Sequence, residues 1–347
     1  MSKTSLKEFY KGKNILITGG TGSIGSEICR ELLKFEPKQI RIYSRDDTKQ
    51  FHLEQELRNY TNLRYLIGDV RDRARLFRAT EGIDLIFHIA ALKHVEICEY
   101  NPFEAIKTNV VGTDNVIDAA IANKVQHFLL ISTDKATNPT NTMGVTKLLA
   151  ERLTVAANLH KGSADTLFSV VRFGNVFGSR GSVVELFVKQ IIEDKKITIT
   201  NPEMTRYFMT IKEATQFVLS SMMQTIGGEI FIKRMSSIRI GDLAKGLIDA
   251  VSEKYNLNKE EIKTEIIGIK PGERIHELLL TSEESSNCYE MEDKYVIVPA
   301  KYLAKTDFSP YFKYSKIEEQ EITSDKDLKL SVDKIKNITK EYLKTRR

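Results

Sequence analysis

The residues best suited to chemistry are Thr133, Asp134 and Lys135, a hydroxyl, a carboxyl and an amine in succession. They follow the apolar run Phe128 to Ser132 (FLLIS), which predicts a strand. A carboxyl pushed toward neutrality by burial is a general acid, and an amine stripped of its charge by burial is a general base. Neighbouring side chains diverge in regular structure, but at the irregular end of a strand both can reach one pocket. The competing reading is a polar turn ahead of Pro139. Lys147 stands four residues after Met143, the spacing that puts two side chains on one helix face.

A second set of residues suits phosphate. Thr18-Gly-Gly-Thr-Gly-Ser-Ile-Gly25 places Gly19, Gly22 and Gly25 three apart, with Thr21, Ser23 and Ile24 between them. Glycine lets the backbone turn tightly and approach a pyrophosphate, and the N–H groups opening the next helix meet its charge. The spacing carries weight because it follows a strand-like run (NILIT) and precedes an amphipathic segment. The end of the next strand should meet the adenosine ribose, where an acid suits NAD and an arginine suits the 2′-phosphate of NADP. Ser44 and Arg45 stand there with Asp46 behind them, so NADP is expected and NAD is possible. In Gly68-Asp-Val-Arg-Asp72, Asp69 is placed to accept from the adenine amino group and Val70 to pack on the ring. The alternative for Asp69 is a turn or helix cap.

These residues need a frame. Strands are expected at Asn14 to Thr18, Gln39 to Tyr43, Leu63 to Ile67, Leu85 to Ile89, Phe128 to Ser132 and Phe168 to Phe173. Helical spacing at Ser26 to Phe35, Asn115 to Ala122 and Leu148 to Leu159 alternates with them. That rhythm predicts a parallel sheet with right-handed crossovers, its ligand beyond the carboxyl ends of the strands. Further on, strand-like pieces (Ile197 to Thr200, Glu229 to Ile232, Thr264 to Ile269) mix with helical ones (Val183 to Glu193, Ile211 to Gln224, Ile240 to Tyr255). The expected division is a dinucleotide-binding domain over 1–175 with later segments returning to it, and a partly interleaved substrate domain over 176–310. An amphipathic helical extension follows over 311–347, with Leu328, Val332, Ile335, Tyr342 and Leu343 on its apolar side.

The chain has 347 residues, 41% hydrophobic, with a formal charge of +5, so a solvated surface explains the charge better than a nucleic-acid footprint. Cys29, Cys98 and Cys288 form no CxxC pair, and the six histidines show no ligand spacing, so neither disulfides nor a metal are expected. The first thirteen residues lack the apolar core of a signal peptide, and no run approaches the ~20 apolar residues of a membrane span. A cytoplasmic protein with no membrane partner is expected.

Taken together, Thr18–Gly25, Gly68–Asp72, Ala90-Ala91-Leu92-Lys93, Asn109 and Ser132–Ala136 resemble the extended short-chain dehydrogenases/reductases. STDKATNPTNTMGVTK, RFGNV, GSRGSV, NPEMTRYFM and KPGE further resemble the UDP-N-acetylglucosamine 4,6-dehydratases of polysaccharide and flagellin-sugar biosynthesis, and the blocks run from about residue 12 to about 300. The resemblance implies a doubly wound α/β fold of Rossmann type with a smaller C-terminal α/β substrate domain. It also implies a three-step reaction on the sugar: oxidation at C4, loss of water across C5 and C6, and hydride return to C6. Thr133 would hydrogen-bond the 4-hydroxyl, Asp134 would act as acid at the 6-hydroxyl and Lys135 as base at C5. Lys147 would hold the nicotinamide ribose, and Ala90, Ala91 and Asn109 would line the cofactor. Lys93, Asn175, Arg180, Val183, Arg206 and Glu273 would meet the UDP-sugar. Many relatives carry a tyrosine where this chain has Met143, which leaves Asp134, Lys135 or a water held by Thr133 to deprotonate the 4-hydroxyl. The alternatives are a UDP-sugar 4-epimerase, which needs no elimination, and a non-catalytic NADP-sensing protein. A homo-oligomer is expected, because such enzymes commonly pair through exposed apolar helices.

Overall fold

The computed structural model describes residues 3–299, 306–318 and 320–345. Within them the chain forms two compact units. The first comprises Met1–Phe173, Lys212–Arg234 and Thr281–Gln320, and the second Gly174–Ile211, Met235–Leu280 and Glu321–Arg347.

The first unit begins with α1 (Lys3–Tyr10) and then alternates strand and helix: β1 (Asn14–Thr18), α2 (Ser23–Leu33), β2 (Gln39–Ser44), α3 (Asp47–Glu56), β3 (Leu63–Ile67), α4 (Arg73–Thr80) and β4 (Leu85–His88). Two short helices, α5 (Val95–Tyr100) and α6 (Pro102–Ala105), run into a π-helical turn, Ile106–Val111, and α7 (Gly112–Ala122). Next come β5 (His127–Thr133), a 3₁₀ turn at Asp134–Ala136, α8 (Thr142–His160) and β6 (Leu167–Phe173). The sheet order is β3-β2-β1-β4-β5-β6, all parallel, continued by Ile230–Lys233 in parallel and by Lys294–Ile297, Cys288–Glu290 and Ser315–Lys316 in antiparallel. This is the doubly wound α/β arrangement. Central strands read as unbroken apolar runs because both faces are covered, and Ile15, Leu16, Ile17, Phe128 and Leu129 are buried. Strand order reverses between β1 and β4, so the ligand crevice lies beyond the ends at Thr18 and His88.

The second unit holds three small sheets. Asn175–Val176, Thr205–Met209 and Ser236–Arg239 form one, Lys196–Ile199 with Lys263–Ile266 another, and Leu278–Leu280 with Ile322–Thr323 the third. Helices Val183–Asp194, Ile240–Tyr255 and Val332–Thr345 close over a core that includes Phe187, Ile191, Leu243, Leu247, Ile335 and Leu343. Gly246 permits the closest approach, since a Cβ there would lie 2.6 Å from Ile335 Cγ2. The last helix begins at Val332, four residues after Leu328, where its apolar spacing starts. Leu328 is 79% exposed, and its carbonyl accepts from the Ser237 N–H in an extended segment. Because Ile335 and Leu343 sit in this core, the helix is part of the second unit and not a separate extension. No helix among the described residues is long and apolar enough to cross a membrane.

Candidate active site

The glycine loop takes its shape from close contacts that only glycine allows. Gly19 has φ +67°, and a Cβ there would lie 2.8 Å from the Ala90 nitrogen, so the Ala90-Ala91 segment passes directly over it. A Cβ on Gly25 would lie 2.6 Å from the Gly19 carbonyl oxygen, which lets α2 sit down on the loop. Gly22 is the N-cap of α2 and offers no capping side chain, so the first N–H groups, from Ser23 and Ile24 onward, are not covered from that position. A loop of this shape can cradle a phosphate. Thr21 shares a hydrogen bond of 2.9 Å with Ser44 and ties the cradle to the end of β2.

At that end Asp46 is occupied. Its carboxylate caps α3 by accepting from the Lys49 N–H at 2.9 Å and pairs with the Lys49 ammonium. Arg45 stays largely exposed, 3.7 Å from Asp69. Asp69 also accepts from the Arg71 guanidinium at 2.7 and 3.0 Å, and the hydrogen bond from Arg71 holds its carboxyl below the usual range. Val70 is only 4% exposed and packs where a Cβ on Gly112 would reach, so it serves the core more than a ring face.

A buried chain of hydrogen bonds connects the cradle with α8. Thr113 donates its one hydroxyl proton to the Asn109 carbonyl at 2.7 Å, so toward His88 Nε2, 3.0 Å away, it accepts. His88 therefore carries its proton on Nε2, and Nδ1 accepts from Thr18 Oγ1 at 2.7 Å. Burial, aided by the Lys147 charge, pushes the His88 pKa down to about 3, so the ring stays neutral. The Asn109 side chain accepts from the Leu92 N–H and donates to the Leu92 carbonyl and to Thr146 Oγ1, each within 3.0 Å. Thr146 in turn donates to the Met143 carbonyl. Asn109, 1% exposed, thus fixes the Leu92 backbone against α8. Lys93 and His94 follow in an exposed stretch that opens α5.

The candidate trio Thr133, Asp134 and Lys135 sits where β5 ends. Thr133 is the last strand residue and Asp134 begins the 3₁₀ turn, which breaks the alternation that would send the two side chains apart. Thr133 Oγ1 donates to Asp134 Oδ1 at 2.9 Å, and Lys135 Nζ reaches the same oxygen at 3.1 Å. The Asp134 side chain is fully buried, whereas that of Lys135 is 22% exposed. Lys147 arrives from α8 and donates to the Ile131 carbonyl at 2.7 Å, two residues before Thr133. Burial lowers its pKa to about 8 against the opposing charge of Glu151. Gly144 brings α8 this close, since a Cβ there would lie 2.3 Å from the Lys135 carbonyl oxygen. Met143 is buried with Cys98 and Ala105 and has no proton to exchange.

A group missed in the sequence backs this arrangement. Arg172 on β6, opposite Ser132 in register, is fully buried and pairs with Glu151 of α8 at 2.7 Å and with Glu284 at 2.8 Å. Burial works against the Arg172 charge, but the two carboxylates outweigh it and raise its pKa. Glu151 stands one turn after Lys147, which was the available signal.

The residues assigned to the UDP-sugar, Lys93 apart, lie in the second unit. Asn175 is half-buried on a short strand, Arg180 is exposed, and Val183 starts a helix and packs on the core. Glu273 accepts from the Lys270 N–H at 3.2 Å and so closes its own Pro-Gly turn. Arg206 is the departure from expectation. It donates to the carbonyls of Thr205, Arg274 and Ile275 and pairs with Glu277 at 3.3 Å, so it fixes the 274–277 segment instead of presenting an open fork.

Residues 15–299 match the family described as polysaccharide biosynthesis protein. A Methanocaldococcus jannaschii protein described as an uncharacterized membrane protein is 54% identical over 85% of this chain and 88% of its own length. The UDP-N-acetylglucosamine 4,6-dehydratase (inverting) of Campylobacter jejuni is 46% identical over 86% of this chain and 87% of that protein. Among solved structures, Pen from Bacillus thuringiensis superposes with a TM-score of 0.90 at 44% identity, covering 96% of this chain and 99% of that one.

Proposed function

The chain belongs to the polysaccharide biosynthesis protein family, and from that premise we propose that it is a nucleotide-sugar dehydratase. It converts UDP-N-acetylglucosamine into a UDP-4-keto-6-deoxy-N-acetylhexosamine with the aid of NADP. The observation that carries this reading is the Thr133–Asp134–Lys135 contact at the carboxyl end of β5, with Lys147 held at the same strand end.

The first unit fits the cofactor. Its glycine loop has no room for a Cβ at Gly19 or Gly25, and Asp46 is engaged by the Lys49 N–H and ammonium, which offset its charge beside Arg45. Gly19, Thr21, Gly22, Ser23, Ile24 and Gly25 would hold the pyrophosphate. Ser44, Arg45, Asp69 and Val70 would meet the adenosine side, and Ala90, Ala91, Asn109 and Lys147 the nicotinamide side. Bound there, the cofactor supplies hydride acceptance from C4 and hydride donation to C6. Arg45→Ala is expected to weaken NADP binding roughly tenfold while leaving NAD unchanged, as titrations with each would read.

Proton balance assigns the rest. In a full cycle one proton leaves the 4-hydroxyl and one joins the departing 6-hydroxyl, while the C5 proton is lost and regained. One group that takes the first proton and delivers it in the second step closes the cycle without solvent. Asp134 is so placed, with the Thr133 hydroxyl bonded to it as a path from the 4-hydroxyl. Lys135, entering as the free amine, takes the C5 proton as Asp134 releases its own. The pair is then left as ammonium and carboxylate, the contact seen at 3.1 Å, and the ammonium returns its proton to C5. Lys93, Asn175, Arg180, Val183, Arg206 and Glu273 are the residues proposed for the UDP-sugar, Arg206 by positioning its neighbours.

Incubating the purified chain with NADP and UDP-N-acetylglucosamine tests the reading by proton NMR of the product. A 4-keto-6-deoxy sugar is expected. UDP-N-acetylgalactosamine would make it an epimerase, and binding without turnover would make it a sensor.

The dehydratase is also proposed to pair with a second copy. Ile97, Tyr100, Phe103, Ile106, Val145 and Leu149 are each at least 40% exposed on neighbouring helices of the first unit. An apolar surface of this kind is usually covered. Val145→Glu with Leu149→Glu is expected to halve the mass measured by light scattering; an unchanged mass would place the contact elsewhere.

A further inference from the structure

The edge of the first unit's sheet carries a pocket that the reaction does not use. It is an open recess of about 430 Å³ lined by Arg41, Arg64, Arg75 and Arg78, with Gln39, Leu66, Ala79 and Glu81. Arg41 on β2 and Arg64 on β3 are direct partners in register, and like charges so placed repel. Arg75 and Arg78 come from α4, three residues apart, and face the same space. Four guanidinium groups thus line one recess with a single carboxylate in its lining.

Elsewhere in the first unit Arg30 pairs with Glu56, Arg73 with Asp118 and Arg234 with Glu290, while the exposed Arg58 and Arg152 stand singly, just past the end of α3 and on α8. Here none of the four lies within ion-pairing distance of a carboxylate among the described residues. Arg41 donates to the backbone carbonyls of Ala79 and Glu81, at 2.9 and 2.7 Å, and to Gln39. Arg75 donates to the Ile67 carbonyl at 3.1 Å. Arg64 and Arg78 have no protein acceptor among the described residues. Burial and the Arg64 charge both work against protonation of Arg41 and lower its pKa, the mark of a site short of negative charge.

The pocket is separate from the cofactor cradle. Its lining shares no residue with the cradle: it runs along β2 and β3 from Gln39 and Glu81, at the amino-terminal side of the strands, to Leu66 and to Arg75, which donates to the carbonyl of Ile67 at the end of β3. The cradle and Ser44 lie at the carboxyl side. We propose that this arginine pocket is a second anion site that takes a diphosphate group, free or as part of a nucleotide. Its volume exceeds the needs of one phosphate, and the planar guanidinium forks match phosphate oxygens in pairs.

The test is calorimetric titration of the NADP-saturated full chain with inorganic pyrophosphate and, separately, with ADP. Wild type is expected to bind pyrophosphate, and Arg64→Ala with Arg78→Ala to weaken it about tenfold or more, at wild-type dehydratase turnover. Tighter binding of ADP than of pyrophosphate would identify a nucleotide ligand, and equal or weaker binding an inorganic one; both support the site. Absence of binding by wild type, or equal binding by the double variant, overturns it. Folding of the variant is checked by its ligand-free melting temperature, expected at or above wild type because repulsion is relieved. Should it fall, Arg64→Gln with Arg78→Gln replaces it with the same expected loss.

Discussion

Lys135→Ala is expected to lower turnover about 10²–10⁴-fold, the usual contribution of a positioned acid or base. The proton balance gives this variant a distinct signature. On the proposed assignment oxidation at C4 needs only Thr133 and Asp134, so one round of reduced-nicotinamide absorbance should survive. Deuterium exchange at C5 in heavy water should vanish with the amine. On the same assignment Asp134→Asn can neither take the first proton nor deliver it, so it should lose the absorbance as well as the product. Were Lys135→Ala to keep its C5 exchange, another base would be at work and the assignment would fall. The conservative change Lys135→Arg should not rescue activity, because a guanidinium does not give up its proton near neutral pH.

The largest loss of stability is expected at Arg172. Its guanidinium is fully buried between Glu151, 1% exposed, and Glu284, 15% exposed. Arg172→Met leaves both carboxylates without their cation in a medium that solvates charge poorly. Breaking a buried pair in this way costs about 3–5 kcal/mol. That corresponds to a fall in melting temperature of roughly 10 °C for a unit of this size. Adding Glu151→Leu and Glu284→Gln should recover much of the loss, since the penalty comes from stranded charge and not from lost attraction. A single variant that melts with wild type would show that the triad is solvated in solution.

How much of this could be read from residues alone depends on the range of the interaction. Strands β1 and β3 carry the bounds their apolar runs imply, because burial on both faces leaves a local mark. The trio was visible for the same reason, as three polar residues at the end of such a run. Charged side chains were harder, because a sequence does not show what a donor is already holding. Asp46 read as a rival to Arg45 and turns out to cap α3. Arg206 read as a contact to the UDP-sugar, and it spends donors on carbonyls some seventy residues away. The uncharged Asn109, still proposed to line the nicotinamide side, also holds the Leu92 backbone and Thr146, which its residue type alone does not show. The π-helical turn that carries it has no local signature in IKTNVV. Arg172 and Glu284 lie 112 residues apart, and no periodicity links them. The start of the last helix was misplaced because Leu328 fits the apolar spacing yet belongs to an extended segment.

The division of the first unit into three stretches of chain bears on how the protein emerges from the ribosome. When Phe173 has been made, β6 is an open rim with unpaired amides, because Ile230–Lys233 is still to come. Arg172 is then inside a half-built layer without Glu284, which is not translated until about a hundred residues later. The nascent chain must carry an adhesive border through that interval, a setting that favours aggregation.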